Sequence, residues 1–405
     1  MKYETKLIWI LGITFGFVFF DRNAAAFLMP FITADLHFTN QQVGLIASAL
    51  SFTWALGGLI GGSVSDRTGK RKTTLLVLIV AFSLCSVISG LAASFFALFA
   101  ARLLMGLFEG PIMPICHSLI VLESDASTRG HNMGVTQNFG SNLLGSFVAP
   151  LVLVALATAF GWRVSFFLAA APGLVMALLI ARYVHEPKAH VTHDPTLSAE
   201  RNKNGMGPLE MLKHGNIWVC ILMCIFMVSW MVLGWAFLPL YYTKVRHFTN
   251  GEMSILMSVL GLSATFFSFV VPRLSDTFGR KPVVIIFNLI GMLVPLAVLQ
   301  FHGGVWGLAV LIFIGWSASG TMPLLMGTIP SETIPPRYIA TAVGLVMGLG
   351  EIIGGVSSPA IAGWAADQYG LNAPVIMQMG CAIIAAVMAL FLAETAPIKS
   401  KRLVV

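Results

Sequence analysis

Asp21 and Arg22 are adjacent within an apolar stretch from Leu7 to Ile32, and Arg102 and Glu109 stand seven residues apart within another, from Phe96 to Val121. A further acid, Glu351, lies in the run Gly350-Glu351-Ile352-Ile353-Gly354-Gly355. Charge at bilayer depth costs from about 2.5 to more than 10 kcal/mol, and residues that bear this cost line a solute pathway or relay protons. The residue types suit such work. A guanidinium is always charged and presents a forked set of donors to a carboxylate, whereas a carboxyl group withdrawn from water favours its neutral form and can take up and release a proton. Helical neighbours point about 100° apart, so Arg22 can face a cavity while Asp21 turns toward another helix. A separation of seven places Arg102 and Glu109 on one stripe about 10 Å apart, too far to pair directly. Each is expected to find a partner on another helix, and Asp21 with Arg102 is the expected pair; a purely structural ion pair is the alternative. Glu351 is open to three roles: solute contact, proton site or structural hydrogen bond.

The elements that must hold these groups are membrane helices. Of 405 residues, 57% are hydrophobic and 10% charged, against about 25% charged in soluble domains. Apolar segments of about 20 residues, the length that crosses a bilayer as a helix, recur along the chain. Twelve are expected, near 8–32, 43–63, 73–95, 97–121, 131–156, 163–183, 215–241, 252–272, 282–301, 304–329, 338–362 and 373–393. The first is too long for a signal-peptide core and is expected to remain in the mature protein. Net charge +7 signals topology and calls for no nucleic-acid partner. With both termini in the cytoplasm, only Arg163, Lys244 and Arg246 of the 24 basic residues fall outside, Arg22 and Arg102 being intramembrane. This is the positive-inside pattern. All five cysteines lie in expected spans and imply no disulfide framework. No metal spacing, nucleophile-base set or phosphate-cradling loop is visible, which argues against an enzyme.

The polar stretch from Glu186 to Gly215 reads as a cytoplasmic linker, 186–214, between two six-helix halves, 1–185 and 215–405. Its histidines, irregularly spaced, read as solvated linker rather than a metal tract. The halves also repeat. Gly62-Ser-Val-Ser-Asp66-Arg67-Thr-Gly69-Lys70-Arg71-Lys72 follows the second span and Leu274-Ser-Asp276-Thr-Phe-Gly279-Arg280-Lys281 the eighth, so that Asp66 and Asp276, and Gly69 and Gly279, lie 210 residues apart. Gly140 and Gly145 find Gly350 and Gly355 at the same offset.

The stretch Gly62–Lys72 resembles the loop between helices two and three of the major facilitator superfamily, departing mildly at Val64 and Lys70. The resemblance implies an all-α membrane fold of twelve helices in two pseudo-symmetric halves around a midplane site, with Asp66, Arg67, Asp276 and Arg280 as gating residues. Asp21-Arg22 in the first span and Arg102-x6-Glu109 in the fourth are similar to the anion:cation symporter family. That likeness implies that Arg22 binds the substrate anion and that Asp21 and Glu109 bind protons, with Arg102 as charge partner. Glu351 departs from that family, which more often carries an amide there. Trp54 and Asn142 are further candidates for substrate contact; Gln137, Asn138, His117, Trp230, Trp235 and Trp316 are weaker ones. The expectation is proton-coupled uptake of a small organic anion, a sugar acid or other carboxylate, with the proton as coupling ion and no cofactor. A monomer in the lipid bilayer of a bacterial inner membrane is expected. A drug/proton antiporter and an organic anion/phosphate exchanger are the alternatives; against the first, Gly140, Gly145 and Pro150 stand in a different order from the antiporter element.

Overall fold

The computed structural model describes residues 3–124, 129–186, 211–335 and 338–396, save for the side chains at 59, 61–68, 129–131, 135, 137–139 and 340. Most of the expected linker falls outside the described residues, as do the side chains of Asp66, Arg67, Gln137 and Asn138.

Among the described residues twelve helical segments follow in order. They are α1 (Tyr3–Leu36), α2 (Asn40–Thr68), α3 (Arg71–Gly90), α4 (Phe95–Glu123), α5 (129–160), α6 (Trp162–Tyr183), α7 (Gly215–Lys244), α8 (Asn250–Phe278), α9 (Arg280–Gln300), α10 (Val305–Thr333), α11 (339–369) and α12 (Asn372–Ala389). Among the described residues eleven are long and apolar enough to cross a membrane, and α2, which carries many of the undescribed side chains, is the remaining one. Leu178 is 71% exposed and Phe391 69%, a surface that hydrocarbon solvates and water would not.

Several helices outrun their apolar cores because polar caps set their ends. The first span, expected at 8–32, runs as Tyr3–Leu36, and the eighth, expected at 252–272, as Asn250–Phe278. Thr249 opens α8 with a reciprocal capping box to Glu252, and Thr39 with Gln42 makes the same exchange at α2. At the other end, the Glu186 carboxylate accepts the backbone N–H groups of Lys72 and Thr73 at 3.0 and 3.3 Å, while Lys72 Nζ donates to Ala181 O. Glu394 does the same for Arg280 and Lys281 at 2.8 and 3.2 Å, and Lys281 Nζ donates to Leu390 O. The basic loops are thus clamped to the ends of α6 and α12.

The repeat extends to backbone conformation. Left-handed φ angles occur at His37 and His247 (53° and 54°), at Gly69 and Gly279, and at Gly161 and Gly370. The tetrapeptide His-Phe-Thr-Asn stands at 37–40 and again at 247–250, a repeat that sequence reading overlooked. Both α5 and α11 contain wide, π-helical turns, at Val135–Val148 and Gly350–Ser357. Both α4 and α10, expected as continuous helices, are interrupted. The break in α4 falls at Gly110-Pro111; α10 tightens to 3₁₀ turns at Trp316–Thr321 and widens again at Leu324–Thr328 around Pro323. Proline lacks the N–H that an α-helix needs.

The halves meet along α1–α7, α2–α11 and α5–α8. Their closest approaches lie toward the end of the bundle away from the chain termini, the distal end. A Cβ on Gly44 of α2 would lie 2.0 Å from Pro359 O of α11, and one on Gly261 of α8 would lie 2.2 Å from the Ser146 carbonyl carbon of α5. Asp367 of α11 crosses the same seam, its carboxylate accepting the N–H groups of Asn40 and Gln41, which open α2, at 2.8 and 2.9 Å.

Candidate functional site

Between the halves lies a cavity of about 470 Å³, walled by α1, α2, α4 and α5 on one side and α7, α8, α10 and α11 on the other. Arg22, Trp54, Asn142 and Glu351, the four expected substrate-contact residues, all line it, and so does Arg102. Asp21 and Glu109 stand behind its wall, almost wholly buried.

Close helix crossings put these groups in place. Gly106 and Gly110 of α4 meet α2 so tightly that a Cβ on either would lie 2.4 Å from Leu50 O or 2.2 Å from Trp54 O, the small-residue packing favoured where helices associate in lipid. The Trp54 indole thereby lies under the Arg22 guanidinium, 4.8 Å from ring centroid to Cζ, with Phe19 at 5.5 Å on the same cation. Asn23 Nδ2 donates to Gly145 O at 2.9 Å and pins α1 to the wide-turned stretch of α5. Arg22 Nη1 is buried with no hydrogen-bond partner among the described residues. A guanidinium with an unused donor at a cavity wall has the chemistry to accept an anion.

The expected pairing of Asp21 with Arg102 is not made. Asp21 turns to α3, where its Oδ1 lies 2.5 Å from Ser86 Oγ, and Arg102 lies over the Phe166 ring of α6 at 4.9 Å, with Nη1 donating to Met105 Sδ at 3.0 Å. The two charges act on each other through space without touching. Packing decides this: the serine and the aromatic ring each claim one member of the pair. Glu109, for which a partner on another helix was expected, has both carboxylate oxygens buried without a hydrogen bond among the described residues, within electrostatic reach of Arg22. Arg102 Nε and Nη2 are likewise unmatched.

Ser86 has a single hydroxyl proton and two acceptors, Asp21 Oδ1 and the Phe166 carbonyl at 3.1 Å. A neutral Asp21 donates to Ser86, which then donates to Phe166. An ionised Asp21 accepts the hydrogen bond of the Ser86 hydroxyl and leaves that carbonyl without a donor. The hydroxyl therefore changes direction with the protonation state of the carboxyl.

Of the expected gating residues, Asp276 and Arg280 are joined inside the second half. Arg280 Nη1 donates to Asp276 Oδ1 at 2.5 Å and Ser275 Oγ at 2.6 Å, and Nη2 donates to Glu332 Oε1 of α10 at 2.8 Å. Sequence reading did not single out Ser86, Ser319 or Asp367. A serine in an apolar helix carries no signal of its partner, and Asp367, in the last turn of α11, gives no sign in its residue type of the helix start it reaches. Among the weaker candidates, Trp235 and Trp316 line the cavity, while Trp230 packs behind at 4.4 Å from Trp316 and donates to Gly291 O.

The sequence profile of the Major Facilitator Superfamily matches residues 11–357 and 235–404. The chain belongs to the Major Facilitator Superfamily. This superfamily member is 29% identical over 386 residues to the hexuronate transporter of Bacillus subtilis, covering 91% of this chain and 89% of that protein. It is 23% identical over 389 residues to a probable sulfoacetate transporter of Cupriavidus necator, with 91% and 89% covered. It is 27% identical over 361 residues to a probable 4-methylmuconolactone transporter of Cupriavidus pinatubonensis, with 87% and 81% covered. In fold it is similar to a bacterial homologue of the human lysosomal transporter Spinster (TM-score 0.80, 17% identity, 97% and 96% covered) and to a D-xylose-proton symporter (TM-score 0.78, 18% identity, 98% and 99% covered). The chain is accordingly a multi-pass membrane transporter of this superfamily and not an enzyme.

Proposed function

We propose that this transporter carries a small organic anion into the cell together with protons, the two halves, 1–185 and 215–405, rocking about the cavity between them. The observation that carries the reading is Arg22, held on Trp54 at the cavity wall with an unused donor. The relatives named for hexuronate and sulfoacetate support an anionic solute. Both termini are taken as cytoplasmic in a bacterial inner membrane, which makes the distal end extracellular, and the working unit is a monomer.

Charge counting supports the coupling. Arg22 and Arg102 bring two formal positive charges to the cavity and its walls, and Asp21, Glu109 and Glu351 bring three negative ones, so the fully ionised site carries a net −1. Protonation of Asp21 and Glu109 from the outside turns this to +1, which a monocarboxylate at Arg22 then neutralises. Without the two protons the same anion would take the site to −2, so binding of the solute and binding of protons favour one another. Release of the solute and protons inside restores the starting charge. Ser86 links the protonation of Asp21 to the α6 backbone at Phe166, next to the ring that carries Arg102.

The test uses purified protein in liposomes loaded with a pH dye. Addition of the transported anion outside acidifies the lumen if the coupling is symport. Glu109→Gln is expected to retain solute counterflow and to lose proton-driven accumulation; a Glu109→Gln carrier that still concentrated solute on a proton gradient would end its coupling role. A second reading, exchange of one organic anion for another or for phosphate, is favoured by one feature. Arg102 lines the same cavity with Nε and Nη2 unmatched, so two cations could face the solute. Counterflow at full rate with no luminal pH change would select that reading.

A further inference from the structure

Both cavity walls are rich in rings and thioethers, with Phe19, Trp54 and Met113 on the first-half side beside Arg22, and Trp235, Trp316 and Met326 on the second-half side. The two indoles of the second wall are fixed. Trp235 meets Trp316 edge to face at 5.3 Å and Phe27 of α1 at 5.9 Å, while Trp230 backs Trp316. Thioethers and indoles together favour flat polarizable surface and supply almost no acceptors for hydroxyl groups. Polar groups interrupt this wall: Ser268 donates to Thr265 O, whereas Trp316 Nε1 and Ser319 Oγ are both buried with no hydrogen-bond partner among the described residues. Glu351 also lines the cavity, and Arg22 acts on it electrostatically without an ion pair between them among the described residues.

We infer that the cavity selects flat aromatic monocarboxylates bearing a neutral oxygen substituent, in preference to polyhydroxylated sugar acids and to dianions. The inference rests on the organic-anion reading above. The carboxylate lies against Arg22, the ring against Trp235 and the methionines, and the substituent oxygen accepts from Trp316 Nε1 and Ser319 Oγ. A sugar acid of the same size carries hydroxyls around its whole ring, and those that face the methionines and indoles rather than Asn142 or Ser51 are left without a partner, which lowers affinity. A second carboxylate would add a negative charge to a site that a single one already neutralises, with Glu351 on the opposing wall to repel it. The volume of about 470 Å³ suits a solute of this size with water around it.

The test is calorimetric binding to the purified carrier in nanodiscs with three probes: 4-hydroxybenzoate, glucuronate, and terephthalate as the dianion of matching shape. Expected is 4-hydroxybenzoate binding at least about tenfold tighter than glucuronate, with terephthalate weak in the wild type and strengthened in Glu351→Gln. Trp235→Ala is expected to weaken 4-hydroxybenzoate about tenfold, the scale of one lost aromatic contact plus its burial, and so to narrow its advantage over glucuronate. Glucuronate binding as tightly as 4-hydroxybenzoate would overturn the inference and leave the organic-anion reading standing. Silence of all three probes on folded carrier would overturn both. No gain for terephthalate in Glu351→Gln would remove Glu351 from the selection against dianions.

Discussion

Asp367→Ala is expected to open the distal end. In the structure this carboxylate accepts two backbone N–H groups at the start of α2, a contact that joins one half to the other and exists only while the distal ends are together. Its free energy therefore enters the equilibrium between the two access states directly, and a ligand or contact moves such an equilibrium only by its differential stabilisation of the two. Charge-assisted hydrogen bonds contribute about 1.5–3 kcal/mol when sheltered, but Asp367 is exposed and water screens it. Loss of a capping side chain costs about 1 kcal/mol, and the positive end of the helix dipole adds a few tenths. At 1.4 kcal/mol per decade, about 1 kcal/mol is a fivefold shift toward the distal-open state. The mirror seam, α5 against α8, has Ala157 and Thr158 in the equivalent region, so no second acid compensates there. The assay is electron-electron double resonance between spin labels at Leu91 and His302, exposed residues of the α3–α4 and α9–α10 loops at the distal end, in a cysteine-free background. The long-distance population should rise about fivefold relative to the short one. An unchanged distribution, or a shift toward the short distance, would refute the reasoning.

Arg22→Ala is expected to abolish uptake, and Arg22→Lys to retain less than about one tenth of it, because an ammonium lacks the planar fork; radiolabelled solute uptake measures both, and a fully active lysine variant would show that charge alone suffices. Gly44→Ala and Gly261→Ala place a methyl group 2.0 Å from Pro359 O and 2.2 Å from the Ser146 carbonyl carbon, so both should hold the distal end apart. Faster modification of a cysteine placed at Ser268 by an impermeant reagent on that side, together with slower net transport, is the expected readout. Glu186→Ala and Glu394→Ala each remove a cap from the start of α3 or α9, at about 1 kcal/mol apiece. Each should lower the thermal melting temperature, and the double variant should show nearly additive loss because the sites are in different halves.

Hydropathy made the membrane helices legible because the bilayer imposes one length on every segment. The charges of α1, α4 and α11 were legible for a related reason: Arg22 and Glu351 stand out where polar residues are scarce, and both face the cavity. What residue types do not encode is which neighbour a side chain chooses. Asp21 and Arg102 have opposite charges and share a half, yet Ser86 and Phe166 separate them. The Asp367 contact was invisible for a different reason. It joins a side chain to a backbone 326 residues away, and backbone donors at a helix start carry no sequence mark. The repeated His-Phe-Thr-Asn was visible and would have fixed the starts of α2 and α8 had it been compared across the halves.

The wide turns of α5 and α11 preserve a piece of history. Through His37 and His247, Gly69 and Gly279, and Gly145 and Gly355, the halves keep an offset of 210 residues, but Pro150 matches Pro359 and Gly161 matches Gly370 at 209. One residue more lies between Gly145 and Pro150 than between Gly355 and Pro359. The π-helical stretch is also longer in α5, at 14 residues against 8 in α11. A wide turn accommodates an inserted residue without rotating the rest of a helix out of register, so a single-codon insertion in the first half, or a deletion in the second, could be absorbed there. Both copies carry wide turns at overlapping positions, so each half holds a place where its cavity-lining helix can change length by one residue while the turns at Gly161 and Gly370 stay matched.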